Sequence, residues 1–300
     1  MLRRIWTVIA ACAALGAAVP AGAQTLYAAS FRSSGIGAAV NTAGSLYSVN
    51  LASSQATFIA PIRVNGASVG VTGLSVHPET GVVYGITAPQ SPNYPSSLVT
   101  VDVTTGRAAL VGDLKYPASD ISFNRAGILF AWLPGTSQLG IVNPSTGAVT
   151  PIGSPRQAGT PSGLAIDKTG IAYITTGGAG GTLDTVDLGT GVIARGPPIS
   201  NAPFPTGVNS MTFSASGLLL AVNSNGGAPA ETRLVTINTA TGVVSPIGSL
   251  PEDTDALTFS GDAPRDNISK MNVQTLALMV LGVIALILGL IGWFVGRKPR

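Results

Sequence analysis

His77 is the chain's only histidine and Cys12 its only cysteine, so acid–base, nucleophilic or metal chemistry must rest mainly on carboxylates and hydroxyls. A histidine-rich metal site needs further imidazoles. A serine nucleophile of the elbow type needs G-x-S-x-G with its histidine and acid; the spacing occurs at Gly66-Ala67-Ser68-Val69-Gly70, but no His-Asp pair stands in the sequence to support it. His77 stands in SVHPETG, at the position that Asn124, Asp167, Ser214 and Ser260 fill in related phrases of the chain. Residue types that share a short side-chain acceptor predict a turn opener rather than a catalytic base.

The carboxylates divide in the same way. Asp102 and Asp187 alternate with Asn50, Asn143 and Asn238 at one position of a repeated phrase, an exchange that suits turn capping and not proton transfer. The densest acidic patch is Glu252-Asp253-Thr254-Asp255, with Asp262 and Asp266 beyond it. Oxygen-rich loops suit Ca²⁺, but Asp-x-Asp-x-Asp-Gly spacing is absent, and the patch reads as a solvated loop. The glycine run from Gly177 to Gly181 joins two strands with no following helix and no Lys-Ser/Thr, so it lacks what a phosphate loop needs. No residue is therefore assigned a catalytic, cofactor-binding or metal-binding role, and Ca²⁺ is the one ion left open.

The elements that carry these residues repeat. LVTVDVTTGRAALVG from Leu98 returns as LVTINTATGVVSPIG from Leu234, as LGIVNPSTGAVTPIG from Leu139, as LDTVDLGTGVIARGP from Leu183 and, more weakly, as LYSVNLASSQATFIA from Leu46. Each is an apolar strand, an Asp or Asn, a short Thr/Ser segment and a second strand. Asp or Asn bonds its own backbone two residues on, and glycine accepts positive φ at the close of a hairpin loop.

A second phrase precedes each hairpin: GLSVHPETGVVYGI, DISFNRAGILFAW, GLAIDKTGIAYIT and SMTFSASGLLLAV. Its first core positions, Leu74, Ile121, Leu164 and Met211, lie 47, 43 and 47 residues apart, and Leu257 in DALTFSG follows 46 later. Four short strands per unit of this length predict propeller blades. The fifth copy lacks its second strand, and Thr25–Ser30 reads as a second strand without a first. Joining residues 256–260 to 25–62 closes the ring. The expectation is an all-β propeller of five four-stranded blades near 72–112, 120–153, 163–199, 210–248 and the joined termini, with six blades as the alternative. A sandwich gives no reason for this regular period.

GLAIDKTGIAYIT and LVTVDVTTG resemble the repeats of bacterial extracytoplasmic propellers of the YVTN, NHL and lactonase-like type. The resemblance spans most of residues 25–260 and implies the fold. It lies in a repeat grammar shared by unrelated functions, so activity does not follow from it.

The loops between second and third strands, SFRSSGIGAAVNTAGS, APQSPNYPSS, LPGTSQ and NSNGGAPAET, should emerge on one face of the disc. Small polar residues beside Phe31, Tyr94 and Trp132 make that face a candidate recognition surface. Variable solvent-exposed loops are the plainer reading.

The ends place the chain. Residues 1–23 carry Arg3 and Arg4, an apolar stretch and Ala21-Gly22-Ala23, the pattern of a cleaved signal peptide. Residues 24–262 form the ectodomain, 263–273 a tether, and 274–296 a transmembrane helix built on the uncharged run from Leu276 to Val295. Arg297, Lys298 and Arg300 in residues 297–300 favour a cytoplasmic C terminus. The tail also resembles bacterial C-terminal sorting signals: Val273-Gln274-Thr275-Leu276 is similar to their IPTL form, with Gln in place of Pro. Removing the five terminal cations from the sixteen Lys and Arg leaves eleven against thirteen Asp and Glu, so the net charge of +3 belongs to the ends. Nucleic-acid binding thereby loses its support.

These observations predict a single-pass bacterial membrane protein, its propeller in the periplasm or outside the cell, holding an envelope protein or glycan without catalysis. The alternatives are a lactonase-like or other hydrolase with axial carboxylates and possible Ca²⁺, and a surface or matrix protein whose sorting tail is removed.

Overall fold

A computed structural model of the chain describes residues 24–32, 44–156, 163–175 and 181–260. The expected signal segment, tether, membrane span and basic tail lie outside these residues, as do Asp262, Asp266 and residues 177–180 of the glycine run. Among the described residues no helix is long and apolar enough to cross a membrane.

Among the described residues every regular element is a strand. In chain order they begin with β1 (Thr25–Ser30), β2 (Ser45–Asn50), β3 (Gln55–Pro61), β4 (Arg63–Val64) and β5 (Ala67–Ser68). Next come β6 (Val71–Val76), β7 (Val83–Thr87), β8 (Ser97–Val101) and β9 (Arg107–Asp113), then β10 (Asp120–Phe123), β11 (Leu129–Leu133), β12 (Gln138–Val142) and β13 (Val149–Ile152). The last groups are β14 (Leu164–Ile166), β15 (Ala172–Thr175), β16 (Leu183–Val186) and β17 (Ile193–Ala194), then β18 (Val208–Phe213), β19 (Leu219–Ser224), β20 (Thr232–Ile237) and β21 (Val244–Leu250), and finally β22 (Thr254–Ser260).

Four strands of each sheet form an antiparallel meander, β22-β1-β2-β3 in the terminal one, and the five sheets form a five-bladed propeller. The strands β22, β6, β10, β14 and β18 stand innermost; each packs on the next, and β18 packs on β22. Ring closure follows the sequence expectation: β22 pairs antiparallel with β1, Thr25 lying opposite Ser260 and Ala28 opposite Leu257. One feature escaped the period. The hairpin β4–β5 joins the outer edge of the first blade, with β4 parallel to β9 and Arg63 opposite Arg107, giving that sheet six strands.

The core is divided among the gaps between blades. One cluster joins Leu46 and Ile62 of the terminal blade's side to Val71, Leu74 and Val99. Another joins Ile86 and Leu98 to Ile121 and Leu129, and a third joins Phe130 and Leu139 to Leu164 and Ile174. The fourth joins Leu183 to Met211 and Val235, and the fifth joins Leu220 and Leu234 to Leu26 and Leu257. A blade is thus covered on both faces, which explains continuous apolar runs where a half-exposed sheet would alternate.

The repeated Thr-Gly of the hairpins meets two demands. Gly106, Gly147, Gly191 and Gly242 hold φ between 69° and 78°. They also abut the preceding blade's outer edge: a Cβ on Gly242 would stand 2.3 Å from the Pro198 carbonyl oxygen, and one on Gly147 2.7 Å from the Gly112 backbone. The hairpin phrase is therefore a packing motif as well as a turn.

Candidate binding site at the propeller axis

The polar residues read as turn formers serve as such. Nδ1 of His77 accepts the N–H of Glu79 at 3.2 Å, and Asn124 and Asp167 accept N–H groups at the equivalent turns. Asp102, Asn143, Asp187 and Asn238 each accept the N–H two residues on. The hydroxyls of Thr104 and Thr105 donate to Asp102 and lower its pKa to about 2. The Thr190 hydroxyl lowers that of Asp187 similarly.

A different set of polar groups occupies the axis. Each innermost strand has one edge without a neighbouring strand, and its buried N–H groups need acceptors. Asp120, fully buried on β10, supplies them. Its Oδ2 accepts the N–H of Leu164 at 2.9 Å and of Met211 at 3.0 Å; its Oδ1 accepts the N–H of Ile121 at 3.0 Å and the Ser210 hydroxyl at 3.3 Å. Ser210 Oγ in turn accepts the Leu257 N–H at 3.2 Å. Equivalent N–H groups of β10, β14, β18 and β22 therefore end on two side chains. Further along, Ser75 Oγ accepts from Phe123 and Ser122 Oγ from Ile166.

Burial pushes the Asp120 carboxyl well above the ordinary range, the three backbone donors pull it back, and nearby Asp255 adds to the rise.

Asp255 owes its position to a bulge. Three inner strands carry one extra residue at the same point: Thr72 between Val71 and Gly73 on β6, Asn209 between Val208 and Ser210 on β18, and Asp255 between Thr254 and Ala256 on β22. Bulges re-aim side chains and are enriched beside active sites. Because β18, β22 and β6 are consecutive around the ring, so are the three extra residues. The Asn209 side chain hydrogen-bonds to Asp255. Burial raises the Asp255 carboxyl well above the usual range, and the charge of Asp253 raises it further. Asp255 and Asn209 remain half-buried at the mouth of the axis. Thr72 is 8 % exposed, and its buried Oγ1 has no hydrogen-bond partner among the described residues.

The acidic patch expected to be a solvated loop is instead structural. Asp253 is buried, its Oδ1 accepts the Ala230 N–H at 2.8 Å, and its carbonyl accepts the Phe31 N–H at 3.1 Å. Thr254 is buried on β22. Among the described residues no group of three or more His, Cys, Asp or Glu is arranged to hold a metal ion.

The sequence-derived binding face is only partly a surface. Phe31 follows β1 at the end where β22 begins, is half-buried, and carries the Arg32 guanidinium 4.6 Å from its ring centre. Tyr94, in the β7–β8 loop, is half-buried against the cluster of Val71 and Val99, and its carbonyl accepts the Thr87 hydroxyl. Both stand at the end of the disc where the inner strands start. Trp132 does not join them. It lies within β11 opposite Asp120, is 4 % exposed, and packs with Phe130 and Leu164. Both faces of its blade are covered, so its proximity to the LPGTSQ loop gives it no surface.

Sequence reasoning passed over Asp120, Asn209 and Thr72. The signal was present: aligning the first strands on Leu74, Ile121, Leu164, Met211 and Leu257 puts Asp120 and Ser210 in the preceding column and Thr72, Ser119, Asn209 and Asp255 in the one before.

No protein-family model matches the chain, and neither does any curated protein. Solved structures do. A chain of the crystal structure of a nidogen/laminin complex is 12 % identical, with a TM-score of 0.50 over 79 % of this chain and 98 % of that one. A protein of unknown function from Bacteroides caccae is 12 % identical over 80 % of this chain and 100 % of that one, with a TM-score of 0.49. Another, from Bacteroides thetaiotaomicron VPI-5482, is 14 % identical over 59 % and 50 %, with a TM-score of 0.43. The first likeness supports the propeller fold and goes no further.

Proposed function

We propose that the chain is a non-catalytic binding or scaffolding module held outside the cytoplasmic membrane, which docks an envelope protein or glycan on the disc face where the inner strands begin. The observation that carries this reading is the convergence on that one face of the inter-strand loops, with Phe31 and Tyr94, around the polar mouth of the axis. Loops on a rigid scaffold are where recognition residues concentrate. Residues 1–23 supply export and the run from Leu276 to Val295 the anchor in this reading.

The hydrolase alternative requires two axial carboxylates, and Asp120 and Asp255 do converge. The oxygens of Asp120, however, already accept four hydrogen bonds, which leaves Asp255 as the carboxylate with an open side. This favours holding a ligand over a two-carboxylate reaction. The test is binding of the full chain to isolated cell-envelope fractions, compared with a Phe31→Ser/Tyr94→Ser double variant of unchanged unfolding midpoint. Loss of binding in the variant is expected; equal binding rules this face out as the docking surface. Reporter fusions at residue 300 check the topology, and an intact C terminus on the mature protein separates an anchor from a processed tail.

A further inference from the structure

We propose that the axial mouth is a binding site for a primary ammonium group, held by Asp255, Asn209 and Thr72. The inference rests on the binding-module reading and names the chemistry that its central site selects. Three consecutive inner strands place an extra residue at the same ring position, and each of the three residues offers an oxygen. Asp255 brings a carboxylate. Asn209, whose amide is the hydrogen-bond partner of that carboxylate, has its carbonyl oxygen at the other end of the group. Thr72 brings a hydroxyl whose oxygen is buried with no partner among the described residues. A buried polar atom left unpaired is costly, and an incoming N–H would relieve that cost.

An ammonium group has three donors and no acceptor, which matches three oxygens presented from three strands. The field has the right sign. Asp255 acts on Asp120 and Asp253 on Asp255, and a cation seated beside Asp255 stabilises its ionised form against the burial that otherwise raises it. Arg32, which follows Phe31 on this face, is turned to the Phe31 ring. A divalent metal suits the set less well: Ca²⁺ takes six to eight oxygens, commonly several carboxylates, and the mouth offers one carboxylate with an open side. Steric access is provided by the half-buried state of Asp255 and Asn209, whose neighbours on β22 and β18 are mostly buried.

A lysine side chain and an amino sugar both present this group, and the experiment separates them. The full chain in neutral detergent is titrated calorimetrically with Nα-acetyl-lysinamide, its Nε-acetylated counterpart, glucosamine and calcium chloride. Saturable binding of at least one free amine is expected, at least ten-fold tighter than the Nε-acetylated probe. The tighter of the two amines identifies the source. Asp255→Asn should weaken amine binding at least ten-fold, and Thr72→Val about three-fold, with unfolding midpoints close to the parent's. Should Asp255→Asn fail to fold, Thr72→Val carries the test. Equal binding of free and acetylated amines, no saturable amine binding, or unaltered binding in the folded variants overturns the proposal. So does displacement of the amine by stoichiometric Ca²⁺. If amines fail while the Phe31/Tyr94 variant still loses envelope binding, the ammonium site falls and the binding-module reading stands. If amines bind while that variant changes nothing, the site stands and the docking face falls.

Discussion

The Asp120 carboxylate accepts the backbone N–H of Met211 at 3.0 Å although the two residues lie 91 apart and in blades separated by a third. Gly163 leaves room beside this contact: a Cβ there would stand 2.7 Å from Met211 Cγ and 3.2 Å from the Met211 nitrogen that donates to the carboxylate. Asp120 thus joins three blades at the centre of the ring. Asp120→Ala leaves the N–H groups of Ile121, Leu164 and Met211 without this acceptor and should cost on the order of 3 kcal/mol or more, at about 1–3 kcal/mol per unsatisfied buried group. Asp120→Asn keeps one oxygen and should cost less. Urea midpoints measure both, and a midpoint unchanged in Asp120→Ala would show that the ring does not depend on this hub.

Acid should affect the protein in two opposed ways. Asp120 and Asp255 have folded pKa values raised by burial, so above about 3.9, the usual value of an unfolded aspartate, the folded chain binds more protons than the unfolded one. Stability then falls as pH rises towards those raised values. Asp102, Asp113, Asp167 and Asp187 are lowered, so their contribution is present above about pH 4 and is lost as pH falls, through about 2 for Asp102. Denaturant midpoints should peak on the acid side of neutral, and Asp255→Asn should flatten the decline towards pH 7. A midpoint that climbs steadily from pH 4 to pH 7 contradicts this.

Two glycines with similar backbone angles should respond differently to alanine. Gly66, at φ 83°, has nothing within 4 Å of where a Cβ would stand, whereas Gly242, at φ 70°, has the Pro198 carbonyl oxygen at 2.3 Å. Gly66→Ala should cost only the left-handed backbone term of about 1–2 kcal/mol. Gly242→Ala should cost clearly more, since the preceding blade edge must also move. Equal losses in thermal unfolding would show that the hairpin glycine serves the turn alone.

Trp132→Ala should act as a core deletion, costing about 3–5 kcal/mol, because its ring is buried with Phe130, Leu164 and Ile174. Tyr94→Ser, in a loop, should cost far less. Similar midpoints for the two variants in guanidinium unfolding would contradict the placement of Trp132 in the core.

The ring was readable in the sequence because it follows from one-dimensional facts: the spacing of Leu74, Ile121, Leu164, Met211 and Leu257, and a first strand missing at one end where a last strand was spare at the other. The axial site shows only as a column of polar residues once the repeats are aligned, because its members are distant in sequence and meet through radial geometry. Asn209 and Asp255 lie 46 residues apart and become neighbours when β18 packs on β22. Their bulges leave no local mark, since an inserted residue in one strand is defined by what the partner strand lacks. Trp132 was misplaced for a related reason: in a blade covered on both faces, alternation no longer separates inside from outside.

Pairing β22 with β1 means that the first of the described strands is completed by the last of them. Until Ala256, Leu257 and Phe259 arrive, two of the five interblade cores lack a wall: the one holding Ala29 and Leu46, and the one holding Leu26 and Tyr47. A chain emerging end first completes three interblade cores before Thr254, and one that stops short of that residue is an open arc with two unsealed apolar flanks. Completeness is thereby checked by the fold itself: only a molecule delivered whole withholds those flanks from proteases and from its neighbours.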